Sequence, residues 1–335
     1  MFEFSVIGGK TARDLIARNR PQIVDAVRET YLTHEAGDSV NPDSYFLRFP
    51  EKPDARIIAL PAYLGGETNV AGIKWIGSFP ANIEQGIPRA SATLLLNDYA
   101  TGYPFAVLEA SQISAARTAA SAVLAAEQLT GGRSAGRITV VGAGIIARNI
   151  LEFFHSQEWQ VDELVVHDLK LEYAEALASH ATSELGMKSR TVDGLKEAID
   201  GADVVVFATV AGEPYVTEPD AFAPGQVVLN ISLRDIAPEI VHGAYNIVDD
   251  VEHCMKANTS PHLAEQKYGN RDFVTGTLAQ HIRGDITTGT DKPVIFSPFG
   301  LGVLDLAVGA FVYQSALDSG DAVQIEDFFG ETSRW

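Results

Sequence analysis

The chain has 335 residues, 46% of them hydrophobic by count, with 44 acidic against 25 basic side chains and a single cysteine. A formal charge of -19 leaves no basic footprint for a polyanion, which speaks against nucleic-acid binding, and one cysteine cannot form an internal disulfide. The length exceeds what one core fills, so two lobes are expected; MFEFSVIGGK carries no basic-then-apolar leader and no apolar run approaches ~18 residues, so the expected compartment is cytoplasmic.

Up to about residue 125 the strand-like runs ARIIALPAYLGG, AGIKWIGSFP, ATLLLND and PFAVLEA follow one another, broken by turns such as Asp98 to Pro104 and accompanied by two helical segments. This predicts an α+β lobe with an antiparallel or mixed sheet. Ala115 to Leu129 (AARTAASAVLAAEQL) has apolar spacing of three and four and stops at Gly131-Gly132, which predicts a helix with a glycine exit.

Beyond it the pattern changes. ITVVGAG, a helix near Ile145 to Gln157, ELVVHD, a helix near Glu172 to Glu184, then DVVVFAT, QVVLNIS and NIVDD succeed one another. Short apolar runs separated by helices are the pattern of buried parallel strands with crossovers. The tail from Leu304 to Leu317 is helical again and is expected to pack back on the first lobe, since chain ends often lie close together.

Ile138 to Val141 runs directly into Gly142-Ala143-Gly144-Ile145-Ile146-Ala147, the GxGxxA form of a dinucleotide fingerprint. Gly142 permits the tight turn, Gly144 lets the backbone approach a pyrophosphate, Ala147 keeps helix and strand close, and the phosphates sit on the helix amino end. A second strand, Leu164 to His167, ends in Asp168, which lies 24 residues beyond Gly144, near the spacing at which a carboxylate meets the adenosine ribose. The competing account of Asp168 is a cap for the LEYAEALASH helix. Leu169 follows, with no arginine or serine pair to receive a 2'-phosphate, so NAD is favoured over NADP. Thr209 and Val210 after one strand and Ser232 after another are placed for the nicotinamide half of the cofactor. The fold class is therefore α/β: a Rossmann-type doubly wound sheet over residues 129–305, plus an α+β lobe built from residues 1–128 and 306–335.

A carboxylated substrate needs local cations in so acidic a chain, and the first lobe offers Arg48, Lys74, Arg89 and Arg117. Arg117 lies in an alanine-rich apolar helix and must find a carboxylate or phosphate. Lys74, inside GIKWIG, is either buried on one face or a surface lysine on an edge strand. Asp235, in NISLRDIAPE, is either a catalytic acid at the sheet's carboxyl edge or a turn former before Pro238. Cys254 stands alone beside His253 and no two histidines are three or four apart, so no metal site is expected. Hydrolase and phosphotransferase signatures are missing. Trp75 and Trp159 are expected in the core.

The segments AGIKWIGSFP, RASATLLLNDYATGYPFAVLEASQISAARTAAS, VVGAGIIARN, NISLRDIAPE and SPFGLGVLDLA resemble the ornithine cyclodeaminase and mu-crystallin family over nearly the whole chain. Ala71 to Ser78 and Val248 to Cys254 are most similar to its branch of N-(2-amino-2-carboxyethyl)-glutamate dehydrogenases, known from siderophore assembly. The resemblance implies a homodimer formed through the first lobe, an NAD-binding lobe, and a substrate carboxylate held by Arg48, Lys74 and Arg117. It places the catalytic aspartate at Asp235, with Lys74 sharing the catalytic site, a cofactor-edge and substrate loop at Pro298-Phe299-Gly300, and a phosphate contact at Thr118 beside Arg117. That branch also implies a pyridoxal-phosphate-dependent synthase as functional partner. Where cyclodeaminases carry an acid for ornithine this chain has Ile58, and where they carry a lysine after the catalytic aspartate it has Glu239; both departures speak against ornithine. Other activities of the family stay open: cyclodeaminase, alanine-type dehydrogenase, ketimine reductase, or a non-catalytic dinucleotide binder.

Overall fold

The computed structural model describes residues 3–334. The chain divides into two compact units, one running to Arg117 and resuming at Leu301, the other from Thr118 to Gly300. The divisions fall at these points rather than at 128/129 and 305/306, because a continuous helix carries the chain across the first of them.

In the first unit β1 (Ser5–Ile7) leads into α1 (Gly9–Arg18) and α2 (Arg20–Glu35), followed by β2 (Ser39–Val40), β3 (Tyr45–Phe49), β4 (Lys52–Leu64), β5 (Val70–Ser78), β6 (Ala90–Asp98) and β7 (Pro104–Glu109). Strands β4 to β7 form an antiparallel meander, and β1 adds to β7 in parallel, so the sheet is mixed. Alternation along the central strand β5 buries Lys74, 2% exposed, on one face and turns Trp75, 43% exposed, to the other. The expectation that Trp75 is core is corrected by that strand period; Trp159 is buried. The edge-strand account of Lys74 also fails, since β5 lies between β4 and β6.

Helix α3 (Ser111–Thr130) crosses from the first unit to the second at Arg117 and Thr118. The second unit then runs β8 (Ser134–Val141), α4 (Ile145–Ser156), β9 (Gln160–His167), α5 (Leu171–Leu185), β10 (Ser189–Thr191), α6 (Leu195–Ile199), β11 (Val204–Phe207), β12 (Val227–Asn230), α7 (Pro238–Gly243), β13 (Tyr245–Val248), α8 (Val251–Cys254), α9 (Ser260–Tyr268), β14 (Val274–Thr277), α10 (Leu278–Arg283) and β15 (Val294–Ser297). The sheet order is β10-β9-β8-β11-β12-β15-β13-β14, with every neighbouring pair parallel. Covered on both faces, β11, β12 and β15 are buried at every position, which is why they read as unbroken apolar runs. Strand order reverses between β8 and β11, the place where doubly wound sheets open a crevice at their carboxyl edge.

Helix α11 (Gly302–Ser319) returns to the first unit, where it lies on β4, β5 and β6 and against α1 and α2. Strand β16 (Val323–Gln324) closes the edge beside β1. No helix among the described residues is long and apolar enough to cross a membrane.

Candidate functional site

The sequence-predicted residues of the second unit share one edge of its sheet. Because every strand points the same way, the residues after β8, β9, β11, β12 and β15, namely Gly142, Asp168, Thr209, Ser232 and Phe299-Gly300, emerge along its carboxyl side. Gly142 adopts φ +94°, a conformation that favours glycine, and a Cβ there would stand 2.6 Å from the Ala208 carbonyl oxygen. Gly144 opens α4 in extended conformation with no side-chain cap, and a Cβ there would meet nothing within 4 Å. An uncapped helix start with open space at its glycine fits a pyrophosphate.

Asp168 accepts the Ala143 N–H at 2.8 Å and the Lys170 N–H at 2.9 Å, so it ties β9 to the glycine turn. It does not cap α5, whose N-cap is Lys170 without a side-chain bond. The glycine turn, the bare helix start and this carboxylate together fit a dinucleotide. Ile145 and Ile146 supply the first N–H groups of α4. Val210 is exposed in the loop after β11.

Asp235 is fully buried and its carboxylate accepts three hydroxyls: Thr209 Oγ1, Ser232 Oγ at 2.5 Å and Tyr215 Oη at 2.9 Å. Its backbone carbonyl also accepts the Tyr215 and Val216 N–H groups, at 3.0 and 2.9 Å. Two residues earlier Leu233 takes φ +81°, a strained value for a side-chain-bearing residue that persists only where its surroundings hold it; its carbonyl accepts the Ser260 N–H at 2.7 Å. Burial, then the charge on Asp235, push the Tyr215 phenol well up, so it stays a donor. The turn-former account of Asp235 leaves these three hydroxyls unexplained, whereas a fixed proton acceptor uses them. Thr209 N lies 3.1 Å from where a Gly142 Cβ would stand, so the acid cluster abuts the glycine turn.

The loop after β15 is held by a second acid. Asp249, at the end of β13 and buried, accepts the Phe299 N–H at 2.9 Å, the Gly300 N–H at 2.7 Å, the Asp250 N–H at 2.9 Å and the Cys254 thiol at 3.1 Å. Burial pushes the Cys254 thiol well above its usual range, which keeps it a neutral donor.

In the first unit the structure brings Lys74 and Arg117 together through a residue the sequence reading passed over. Asp305, on α11 and fully buried, accepts from Lys74 Nζ at 2.6 Å and stands 3.4 Å from Arg117 Nε. Lys74 also donates to the Ser114 hydroxyl at 3.1 Å. The Arg117 Nε and the facing Asp305 oxygen are buried without a hydrogen bond, so the guanidinium lacks a full acceptor set. Two cations against one carboxylate leave a single positive charge, which suits one further carboxylate. Arg48 is not joined to this cluster by a hydrogen bond or ion pair among the described residues; it is exposed on β3, its guanidinium 5.3 Å from the centre of the Phe46 ring. Arg89 donates to the Ser78 hydroxyl at 3.3 Å. Thr118 is half-buried on α3, and Glu239 forms an exposed ion pair with Lys267.

Asp305, Asp249 and Tyr215 were missed by sequence reasoning. The first two carry the signal that pointed to Arg117, a charge inside an apolar stretch (GVLDLAVGAF and NIVDD); Tyr215 follows an irregular loop and carries none.

The model of the ornithine cyclodeaminase/mu-crystallin family matches residues 15–320. The chain belongs to that family. It is 33% identical over 312 residues, 89% of this chain and 91% of the relative, to the N-((2S)-2-amino-2-carboxyethyl)-L-glutamate dehydrogenase of Staphylococcus aureus (strain NCTC 8325 / PS 47). Among solved structures it is similar to an archaeal alanine dehydrogenase dimer with bound NAD, with TM-score 0.86 and 25% identity, covering 98% of this chain and 100% of that one. The Thermococcus litoralis Delta(1)-pyrroline-2-carboxylate reductase in complex with NADH and L-proline shares the fold, with TM-score 0.87 and 22% identity over 96% of this chain and 100% of that one.

Proposed function

We propose that this family member is an NAD-dependent oxidoreductase of the CH–NH bond of an amino acid, and that its substrate is N-(2-amino-2-carboxyethyl)-L-glutamate. The products are L-2,3-diaminopropionate, 2-oxoglutarate and NADH. The observation that carries the activity is the buried Asp235, fixed by three hydroxyls beside the glycine turn. Support for the substrate comes from the 33% identity to a dehydrogenase named for that conjugate and from Ile58, which offers no acid to a distal ammonium.

Bound NAD supplies the hydride acceptor. Asp235 takes the proton from the substrate's secondary nitrogen, so that the neutral amine gives up the hydride from the glutamyl α-carbon and a C=N bond forms. Asp235 then takes a proton from the water that adds to that carbon, and the C–N bond breaks to leave the ketone and the free amine. Lys74 and Arg117 hold the α-carboxylate, with Arg48 in the same role, an orientation effect. Asp168, Gly142 and Gly144 with the N–H groups of Ala143, Ile145 and Ile146 hold the cofactor; Thr118, Val210 and the Phe299-Gly300 loop border it. Thr209 and Ser232 act through Asp235.

The outer face of the first unit's sheet carries Ile57, Ala59, Ile73, Trp75 and Leu95, half-buried or exposed. A second copy of the chain covers that face in this reading, as a homodimer, and a pyridoxal-phosphate-dependent synthase supplies the conjugate for siderophore or antibiotic assembly. The test is NAD reduction with the conjugate beside ornithine, lysine and alanine. Net NADH formation with the conjugate alone supports the reading. Ammonia release without net NADH marks a cyclodeaminase, reduction with alanine marks an alanine-type enzyme, and no turnover with any amine marks a non-catalytic binder.

A further inference from the structure

Opposed residues of an antiparallel sheet project to the same side, and so do residues two or four apart on one strand. Leu60 on β4 stands opposite Lys74, while Arg56 stands opposite Ser78 on β5 and opposite Arg48 on β3. Arg48, Arg56, Ser78 and Lys74 therefore share one side of the sheet. Arg89 joins them, since its Nε donates to the Ser78 hydroxyl at 3.3 Å. Three guanidiniums gather at one end of the face whose middle carries Lys74, in a chain of net charge -19.

Like charges directly across a strand pair repel, so the Arg48–Arg56 rung is unfavourable without an anion. The acids of the β3–β4 hairpin, Glu51 and Asp54, are exposed and form no ion pair among the described residues. The Arg48 guanidinium instead lies over Phe46, a contact that orients its fork. Ile58, opposite Phe46 and one pleat from Arg56, lays an apolar floor between the arginines and Lys74. Ser78 lies four residues beyond Lys74, ~13 Å along the strand, a separation that two long side chains leaning inward narrow to the span of an extended polycarboxylate.

We infer that Arg56, with Arg48 and Arg89, forms a second carboxylate subsite that reads the carboxylates remote from the oxidised carbon, so that the enzyme selects a polycarboxylated amine over a monocarboxylated amino acid. This rests on the proposed function for what the Lys74 end holds. An acid at position 58 would select a distal cation; arginines on both sides of an isoleucine select a distal anion.

The experiment compares binding of 2-oxoglutarate and pyruvate, two 2-oxo acids that differ by a distal carboxylate, to the NADH-loaded full chain by calorimetry, for the wild type, Arg56→Gln, Arg56→Lys and Arg89→Gln. The wild type is expected to prefer 2-oxoglutarate, Arg56→Gln and Arg89→Gln to lower that preference at least ~10-fold, and Arg56→Lys to restore part of it, as for a lost charge-assisted contact. Thermal melting establishes that each variant folds; if Arg56→Gln does not, Arg89→Gln decides. Preference within about twofold of wild type in both glutamine variants, or equal weakening of both ligands, overturns the subsite. The same proteins are assayed for NAD reduction with the conjugate. Arg56-dependent preference without turnover sinks the proposed reaction and keeps the subsite, whereas turnover with unmoved preference does the reverse.

Discussion

The Lys74 ammonium donates to the Asp305 carboxylate at 2.6 Å, with both groups out of solvent. Burial is the largest influence on Lys74 and lowers its pKa to about 8; Asp305 raises it and Arg117 lowers it again. Below about 8 the group is an ammonium and can donate to a bound carboxylate, and above it the charge is lost. Binding of 2-oxoglutarate to the NADH-loaded protein is therefore predicted to weaken as pH rises through that value. Asp305→Asn removes the raising influence, so its weakening should begin at lower pH. Titrations from mildly acidic to alkaline pH on both proteins check the sign; a limb that moves to higher pH in the variant would contradict it.

Asp235→Asn keeps the shape of the acid and removes its ability to take a proton. Turnover is predicted to fall at least ~100-fold, the range for a lost general base, with NAD affinity near the wild-type value. Steady-state assay and cofactor titration measure the two separately, and unchanged turnover removes Asp235 from the chemistry.

Asp168→Ala deletes the acceptor of the Ala143 N–H and, in the proposed role, the partner of the ribose hydroxyls. A raised NAD requirement with the chemical step largely intact is expected. Single-turnover rates at saturating cofactor, set against a titration, separate these effects; an unmoved titration means the ribose assignment is wrong.

Asp249→Asn replaces a carboxylate that accepts both the Phe299 and Gly300 N–H groups with an amide that has one acceptor oxygen. Stability should drop by about 1 to 3 kcal/mol, with a raised KM for the amine substrate. Thermal unfolding and a KM-against-kcat comparison test this. A destabilised variant with wild-type KM would confine Asp249 to holding the fold.

Much of the second unit was legible in the sequence because its signals are local. A strand covered on both faces must be apolar throughout, and a turn like that at Gly142 calls for glycine, so DVVVFAT, QVVLNIS and VVGAGIIA each announce themselves. The insertion of β15 between β12 and β13 was not legible, since pairing between strands distant in the chain leaves no trace in either one. Trp75 was misjudged for a related reason: period two says that Lys74 and its neighbour face opposite ways, but not which face α11 covers.

By itself the sequence determined the α/β class, the glycine turn, the acid at the end of the second strand of the parallel sheet, and a requirement that Arg117 find an anion, all consequences of short-range geometry and of the penalty for burying charge. Only the tertiary structure decided that the anion is Asp305, nearly two hundred residues away in the chain, that three hydroxyls from separate loops converge on Asp235, and that Arg48, Arg56 and Arg89 meet at one end of a sheet face. Those partners are brought together by strand register and helix return, which depend on the packing of the whole chain rather than on any stretch of it.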